Sequence, residues 1–511
     1  MLTRAAMLTC AAEGASGSGD RPNIVLFIGD DMSQEDFEFV QTPYIDKLAA
    51  NGLSFSNAYQ TTSSCSPVRT SLITGRYPHN TGGPELHQMN NPHLGNLPQF
   101  PHLLREAGYY TAQAGKQHFN GDVVKSFDKE RRGGGSSGAE YWLPSLRDRP
   151  RDKPFFMWFA ASDAHRNWDQ SLDAGPHSPE DVVVPPYLVD GPATRRDLAY
   201  YYNEIHRFDN YIGLVVEELE AQNVLENTLI IVIGEDGRPF PRSKCWMYDS
   251  GIKTPLVVHW PAGLSKQAEV DSLVSWIDLP PTILEFAGVE VPPTFQGVSL
   301  RPIFEDPKAS VRDFVFAERN WHAQRHHERM VRHGDFVYIR NHYPELVGMN
   351  LVHHNHDLHG IYGDTTYAYV ELVEHWRAGK ATPAQLNVVA QPRPAEELYN
   401  VVKDPHQLEN LAGESEFAEQ LAFLGAAMDK WMEQTGDTVP ALEDMTPDRG
   451  FPPGFRESDW SAPLAGSGRP DGGEFPGQST DAWKIHHPGP VRTGDVKLRR
   501  RLPQRRRLPD V

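Results

Sequence analysis

Three short apolar runs, at residues 23–28, 154–161 and 228–234, constrain the fold more than any other feature of the sequence. Each run is rich in Val, Ile, Leu or Phe and is bounded by turn residues, which is typical of buried parallel strands. Helical patterns lie between the runs. Residues 195–222 carry apolar side chains at helical spacing, and Thr42, Pro43 and Gly52 mark the two ends of a shorter helix. Strands that alternate with helices predict an α/β fold.

Charge and hydropathy exclude several classes of protein. The net charge of -19, from 49 Lys and Arg against 68 Asp and Glu, argues against a nucleic-acid-binding body. No apolar run approaches the roughly 20 residues of a membrane span. The apolar part of the first twenty residues is also shorter than the roughly 7 to 15 residues of a signal-peptide core. We therefore expect no nucleic-acid partner and no membrane span, and the start of the chain does not by itself indicate export.

Composition divides the chain into four parts. Residues 1–20 are predicted to be a flexible N-terminus, and residues 21–305 form the main α/β unit. Residues 306–436 carry shorter predicted strands, at 314–317, 335–340 and 397–400, and form a smaller C-terminal α+β subdomain. Gly, Pro, Ser and Asp crowd the chain from residue 437, so residues 437–511 are predicted to be an arm that ends in a basic tail. The basic residues within 491–507 favour a solvated tail over a polyanion-binding one.

Two of the predicted strands end in pairs of acidic residues. Asp30 and Asp31 follow the first strand, and Glu235 and Asp236 follow the strand at 228–234. Each pair taken alone is more typical of a turn or a helix cap. If the two strands are neighbours, however, four carboxylates converge at the sheet edge where open α/β proteins bind ligands. Such a cluster requires a cation, and its oxygen ligands favour Ca²⁺ or Mg²⁺ over zinc or copper.

Cys65 is the cysteine with the most informative surroundings. The other two, Cys10 and Cys245, are too far from it in the sequence to indicate a disulfide framework or a zinc site. Pro67 places Cys65 at the first turn of a predicted helix, where free backbone N–H groups favour an anion. The local pattern leaves two interpretations open, a reactive thiol or a small buried hydrophobic residue.

The residues around Cys65 resemble a known signature. Cys65, Pro67 and Arg69, followed by Gly75 and Arg76, match the Cys-x-Pro-x-Arg motif of the formylglycine-dependent sulfatases. The resemblance extends over roughly residues 21–412. It implies an alkaline-phosphatase-like sheet, a catalytic domain over 21–305, and conversion of Cys65 to formylglycine by a formylglycine-generating enzyme. It also implies a bound cation, Ca²⁺ with Mg²⁺ as the alternative.

The resemblance assigns roles to the other site residues. The hydrated aldehyde would attack sulfur and later expel sulfate, with Arg69 steadying the diol. Lys116 and Lys244 would hold the sulfate group. His118 would accept a proton from the diol, and His165, together with Lys244, would protonate the leaving group. The implied metal ligands are Asp30, Asp31, Glu235, Asp236 and the converted Cys65.

The sequence departs from the family pattern at two places. The second metal strand reads Glu235-Asp236-Gly237, where the family usually has Asp-Asn-Gly or Asp-His-Gly. A carboxylate in place of a neutral ligand predicts tighter cation binding and an altered metal preference. The other departure is Ala164-His165 in place of the usual Pro-His.

Two further segments indicate the substrate. Residues 237–242, and 318–322 before Arg329, resemble heparan N-sulfatases and bacterial carbohydrate sulfatases. Trp321, His322 and Arg329 are therefore predicted to bind a sulfated carbohydrate, and a periplasmic or secreted location is expected. Two alternatives stay open, a phosphatase or phosphonate hydrolase of the alkaline phosphatase superfamily and a non-catalytic carbohydrate-binding relative.

Overall fold

A computed structural model describes residues 21–86, 88, 91–133, 135–166, 168, 175–322, 324–346, 367–446 and 481–497. The predicted flexible N-terminus, residues 1–20, lies outside the described residues. So does the basic tail beyond Lys497.

An eight-stranded, mostly parallel sheet forms the centre of the main unit. Its strand order is β5-β4-β6-β1-β7-β8-β2-β9, and only the two pairings made by β8 are antiparallel. The strands are β1 (Asn23–Met32), β2 (Leu53–Phe55), β4 (Tyr110–Gly115), β5 (Lys129–Arg132), β6 (Phe155–Ala160), β7 (Thr228–Asp236), β8 (Leu256–His259) and β9 (Ala268–Val270). A separate parallel pair joins β3 (Ala58–Tyr59) to β10 (Val274–Ser275).

Helices cover both faces of this sheet. Alternate residues of β1 face opposite layers, with Val25 and Phe27 in one core cluster and Leu26 and Ile28 in the other. The helices of the main unit are α1 (Pro43–Ala50), α2 (Cys65–Thr74), α3 (Phe100–Glu106), α4 (Trp142–Arg147), α5 (Pro192–Ala221), α6 (Asp249–Ile252), α7 (Leu279–Phe286) and α8 (Arg301–Glu305). The predicted α/β class is confirmed.

Helix α5 is the longest element and agrees closely with the helix predicted at 195–222. It begins three residues earlier because Pro192 occupies its first turn, where proline is favourable. Its buried face is not wholly apolar, since Asp197, Glu204 and Asp209 lie on it. Buried carboxylates require specific partners, so this face makes polar contacts as well as apolar ones.

An antiparallel sheet forms the C-terminal part, in the order β11-β12-β13-β14. Its strands are β11 (Val315–Arg319), β12 (Glu328–His333), β13 (Phe336–Asn341) and β14 (Glu396–Asn400). The helices in this part of the chain are α9 (Tyr367–Arg377), α10 (Pro383–Val389) and α11 (Ala418–Thr435). Helix α11 packs against β12 and β13, whereas α9 and α10 contribute side chains to a core cluster of the main unit. Three of the strands lie within two residues of the predicted ones, and β12 was not predicted. The smaller α+β subdomain of the predicted fold class is confirmed.

Arg76 connects residues 483–485 to the main unit through hydrogen bonds. Its guanidinium donates to the carbonyl oxygens of Trp483 and Ile485 at 2.9 and 2.7 Å, and to those of Asn80 and Thr294 at 2.9 and 2.6 Å. Burial lowers the pKa of Arg76 to about 10. Five N–H groups in a rigid fork allow one arginine to satisfy several carbonyls at once.

Within the described part of the chain, no helix has both the length and the apolar character needed to cross a bilayer.

We expect Arg76→Ala to lower the free energy of unfolding by at least about 2 kcal/mol, because buried carbonyls left without a donor cost about 1 to 3 kcal/mol each. Chemical denaturation would measure the loss, and limited proteolysis should cut faster near residues 481–489. Lys484→Ala is the control, since Lys484 is exposed and pairs with Asp481. Equal protease resistance of the Arg76 variant and the wild type would show that the hydrogen bonds of Arg76 do not hold residues 481–489 in place.

Candidate active site

The central feature of the site is the direct pairing of β1 with β7. The two strands run parallel, with Gly29 opposite Gly234, so their acidic ends emerge side by side. A register shift between Gly29 and Met32 accompanies a positive φ of 56° at Asp31. The four carboxylates are fully buried. The convergence predicted from the two strand ends is therefore what the structure shows.

Cys65 completes this cluster from the start of α2. Ligand atoms of Asp30, Cys65, Glu235 and Asp236 all lie within 4.8 Å of one another, an arrangement that can hold a metal ion. Asp31 lies beside this group without belonging to it, and its Oδ1 accepts a hydrogen bond from Lys244.

Helix α2 is built to present Cys65 at its first turn. Ser64 precedes it in an extended conformation, and Gly75 ends the helix with φ at +63°. A Cβ on Gly75 would lie 2.9 Å from the Phe295 ring, so glycine is required there by space as well as by φ. Burial, and then the nearby Asp236, raise the pKa of the Cys65 thiol well above its usual value. An unmodified Cys65 would therefore be a protonated, weak nucleophile, which disfavours the reactive-thiol interpretation.

Three cationic side chains face the carboxylates. Arg69 donates from Nε and Nη2 to Glu235 Oε1 at 2.9 and 2.6 Å. Lys116 donates to Asp30, and its Nζ lies 3.6 Å from Glu235 Oε1. Lys244 donates to Asp31, and its Nζ lies 3.3 Å from Asp236 Oδ2 and 3.3 Å from Cys65 Sγ.

The electrostatics of the cluster fit a divalent cation. Burial, opposed by Lys244, raises the pKa of Asp31 to about 8, and burial also raises the pKa of Glu235 well above its usual value. Burial opposes ionisation of Asp30 too, but Lys116 holds the pKa of that carboxyl well below its usual range. Asp30 Oδ1, Asp31 Oδ2 and Glu235 Oε2 are buried without a hydrogen-bond donor among the described residues. Oxygen atoms in this state are suitable ligands for Ca²⁺ or Mg²⁺.

The two predicted histidines follow strands of the central sheet, His118 after β4 and His165 after β6. His118 is partly exposed, two residues beyond Lys116, and has a φ of 50°. His165 follows β6, is partly exposed, and its Nδ1 donates to the backbone carbonyl of Arg166. Burial, and then Lys244, lower the pKa of His165 to about 3, so without substrate the ring is neutral at neutral pH.

The three residues predicted to contact a saccharide lie in the C-terminal sheet and the loop after β11. Trp321 and His322 are largely buried, and the Trp321 carbonyl accepts from Leu86 N at 3.2 Å. Arg329 is fully buried on β12, where its Nε and Nη2 donate to Asp437 at 2.5 and 2.8 Å. Its guanidinium is therefore held inside the C-terminal unit.

Some residues around the site were not predicted from the sequence. The backbone of Asp163 bonds that of Asp30 at 2.6 Å, and the Tyr201 hydroxyl donates to the Asp31 carbonyl at 3.0 Å. Arg166 pairs with Asp197 on α5. One signal was present in the sequence, because Asp197 and Tyr201 lie four residues apart and therefore on the same face of the predicted helix.

Together, the mostly parallel sheet with helices on both faces and the buried carboxylate cluster at the start of α2 define an α/β protein with a candidate metal centre. The family model described as Sulfatase matches residues 22–145 and 137–289. The model described as N-sulphoglucosamine sulphohydrolase, C-terminal, matches residues 240–378. The chain belongs to the sulfatase family and is a sulfatase.

Relatives of known activity agree with this assignment. The chain is 30% identical to N-sulphoglucosamine sulphohydrolase of Homo sapiens, covering 81% of this chain and 90% of that protein. It is 28% identical to an ulvan-active sulfatase of Formosa agariphila, covering 82% of this chain and 76% of that protein. The predicted resemblance to carbohydrate sulfatases is therefore confirmed.

Solved structures share the fold. One, described as a complex with its substrate D-glucosamine-2-N,6-O-disulfate, is similar with a TM-score of 0.61 and 20% identity, over 82% of this chain and 99% of that one. A phosphonate monoester hydrolase from Silicibacter pomeroyi is similar with a TM-score of 0.56 and 17% identity, over 80% and 95%. At these identities the likeness shows the fold alone, so it does not favour the phosphonate hydrolase alternative.

We expect Ca²⁺ to stabilise the chelator-treated protein, because a cation that binds only the folded state adds about 2.7 kcal/mol at a free concentration about 100 times its Kd. Thermal unfolding with added Ca²⁺, Mg²⁺ or Mn²⁺ would measure the shift and rank the ions. Asp30→Asn should reduce the shift, whereas Asp306→Asn, at an exposed position, should not. A calcium shift that is equal in all three proteins would contradict the cation site.

Proposed function

We propose that this sulfatase hydrolyses a sulfated saccharide, with N-sulfated glucosamine as the first candidate, by means of formylglycine at position 65 and a divalent cation. The observation that carries the proposal is the placement of Cys65, which lies among three carboxylates with Lys244 Nζ 3.3 Å from its Sγ. The substrate class is supported by the human relative and by the match of residues 240–378 to the C-terminal model.

Lys116 and Lys244 would bind the sulfate group. They approach the cluster from different loops, Lys116 after β4 and Lys244 after β7. Neighbouring carboxylates raise the pKa of each lysine against the effect of burial, so both remain charged at neutral pH. A sulfate oxygen near either Nζ would receive a charge-assisted hydrogen bond in a largely buried pocket.

The proposed cation ligands are Asp30, Asp31, Glu235, Asp236 and the converted Cys65, and Arg69 would fix Glu235 through its two N–H groups. A bound Ca²⁺ or Mg²⁺ supplies positive charge that lets these carboxylates ionise together and favours negative charge on oxygen. Formylglycine supplies a hydrated aldehyde, whose two hydroxyl groups allow attack on sulfur and later release of sulfate.

The histidines would move the protons. We propose that His118 accepts a proton from the hydrated residue 65 as sulfate leaves. His165 would protonate the departing oxygen or nitrogen, with Lys244 beside it. Burial and then Lys244 lower the pKa of His165. A sulfate anion bound next to Lys244 would offset the effect of that lysine, so a larger fraction of the rings would carry the proton that the leaving group needs. Proton transfer of this kind contributes about 100-fold to 10,000-fold.

Trp321 and His322 would border the saccharide, and Arg329 would support that region through its ion pair with Asp437. Sulfated glycans occur outside the cytoplasm, so the proposal includes a periplasmic or secreted location. It also includes a formylglycine-generating enzyme as the partner in maturation.

We expect the peptide that carries Cys65 to lose its thiol and gain an aldehyde when the protein is produced with a formylglycine-generating enzyme. Mass spectrometry of the digested protein would detect the change, and Cys65→Ala should abolish sulfate release. Cys245 is an internal control, because it is equally buried but lies outside the signature and should keep its thiol. An intact thiol at Cys65 in active protein would rule out the formylglycine mechanism.

We expect sulfate release from N-sulfated glucosamine to exceed that from O-sulfated glucosamine, galactose and N-acetylgalactosamine. Ion chromatography of released sulfate would compare the four sugars, with the Cys65→Ala protein as the blank. A preference for an O-sulfated sugar would support a sulfated saccharide as the substrate class and contradict N-sulfated glucosamine as the preferred substrate. Failure on all four sugars by protein shown to contain formylglycine would reject the saccharide substrate.

A further inference from the structure

Arg166, the residue after His165, forms a buried ion pair with Asp197. The Arg166 side chain is 5% exposed, and its Nη1 and Nη2 donate to the two oxygens of Asp197 at 2.9 Å each. Asp197 is fully buried on α5 and also accepts from the backbone N–H of Ala368 at 3.2 Å. Two parallel N–H···O bonds fix the plane of the guanidinium as well as its position.

The same guanidinium joins two loops of the site. Arg166 Nε donates to the Pro239 carbonyl at 3.2 Å. Its planar group lies over the Trp168 ring at 4.0 Å and near the Phe240 ring at 5.0 Å. Pro239 and Phe240 belong to the loop that continues to Lys244, whereas Trp168 belongs to the loop of His165. The pair therefore connects the loop after β6 to the loop after β7.

The His165 ring is hydrogen-bonded to the backbone of Arg166. His165 Nδ1 donates to the carbonyl oxygen of Arg166, which leaves Nε2 as the nitrogen available for proton transfer. A shift of residue 166 would move both this carbonyl and the loop that carries the ring. The Trp168 indole N–H donates to the Ala164 carbonyl at 2.9 Å, so the indole packed against Arg166 also holds the residue before His165.

A buried ion pair is not explained by stability alone. Desolvation raises the pKa of Asp197 even though Arg166 lowers it, so burial outweighs the attraction of the guanidinium. Replacing such pairs by apolar residues of similar volume is often neutral or stabilising. What an apolar replacement would lose here is the bidentate geometry that sets the positions of the two loops.

We propose that Arg166 and Asp197 are positioning residues for the reaction, which hold His165 in its place relative to Lys244 beside the carboxylate cluster. This inference rests on the proposed function, in which His165 protonates the leaving group. The two sulfate-binding lysines have partners of their own. The backbone N–H of Lys116 donates to the Ala160 carbonyl of β6 at 2.9 Å, and the Lys244 ammonium pairs with Asp31 and Asp236.

Loss of the ion pair should affect the hydrolysis of two kinds of substrate differently. Misplacement of a catalytic group by about 1 Å can reduce the rate by about 100-fold. A sugar hydroxyl or amine is a poor leaving group and needs a proton, whereas 4-nitrophenolate leaves without one. Loss of the pair should therefore slow hydrolysis of the saccharide sulfate and leave that of 4-nitrophenyl sulfate nearly unchanged.

The test compares Asp197→Asn with the wild type, both carrying formylglycine, on N-sulfated glucosamine and on 4-nitrophenyl sulfate. We expect kcat for the saccharide to fall by about 10-fold to 100-fold with little change in KM, because a misplaced acid slows the chemical step without removing the sulfate ligands. Hydrolysis of 4-nitrophenyl sulfate should change by less than about threefold, and His165→Ala should show the same selectivity.

Glu371→Gln is the matched control. The Glu371 carboxylate accepts from the backbone N–H and the hydroxyl of Thr194 at 2.8 Å each, near the start of the same helix α5. Arg166→Lys keeps the charge and loses the bidentate pair, so it provides the same comparison if Asp197→Asn does not fold. Thermal unfolding of each variant would report its folding.

Two results would overturn the inference. Equal losses on both substrates, in a variant that unfolds at the wild-type temperature, would show a general structural role. Unchanged activity on both substrates would show that the pair does not position His165. If instead the wild type, with formylglycine present, hydrolyses neither substrate, then the proposed function itself fails, and the role of the pair in it fails with it.

Discussion

The structure depends on the parallel pairing of β1 with β7, because it places four carboxylates at one buried edge. Gly29 lies opposite Gly234, so Asp30 and Asp31 emerge beside Glu235 and Asp236. Repulsion among these groups in a low-dielectric interior would oppose folding if nothing compensated it. The positions of the surrounding cationic side chains follow from this constraint.

Compensation comes from three different parts of the chain. Arg69 reaches the cluster from α2, Lys116 from the loop after β4, and Lys244 from the loop after β7. Because each cation belongs to a separate element, the three compensating charges meet the carboxylates only when the sheet, helix and loops are assembled. The same cations would then meet an anionic substrate, so the groups that permit folding are also those suited to bind sulfate.

The sequence predicted the features that are encoded locally and missed those that join distant residues. The acidic strand ends, the start of α2 at Cys65 and most of α5 follow from short patterns of apolar, turn and capping residues. The pairing of Arg166 with Asp197 spans 31 residues and two elements, so no local pattern predicts it. The burial of Arg329 against Asp437 likewise depends on how β12 packs, which its own residues do not specify.

Glu235 shows how a departure from the family pattern can be accommodated. Arg69 directs both Nε and Nη2 to a single oxygen, Oε1, and leaves Oε2 buried without a donor. The extra methylene of glutamate, relative to the usual aspartate, gives the carboxylate the reach to serve two partners. Oε1 then accepts the hydrogen bonds of Arg69, and Oε2 is available to a cation. The positive charge of Arg69 thereby offsets part of the negative charge that Asp236 adds to the site.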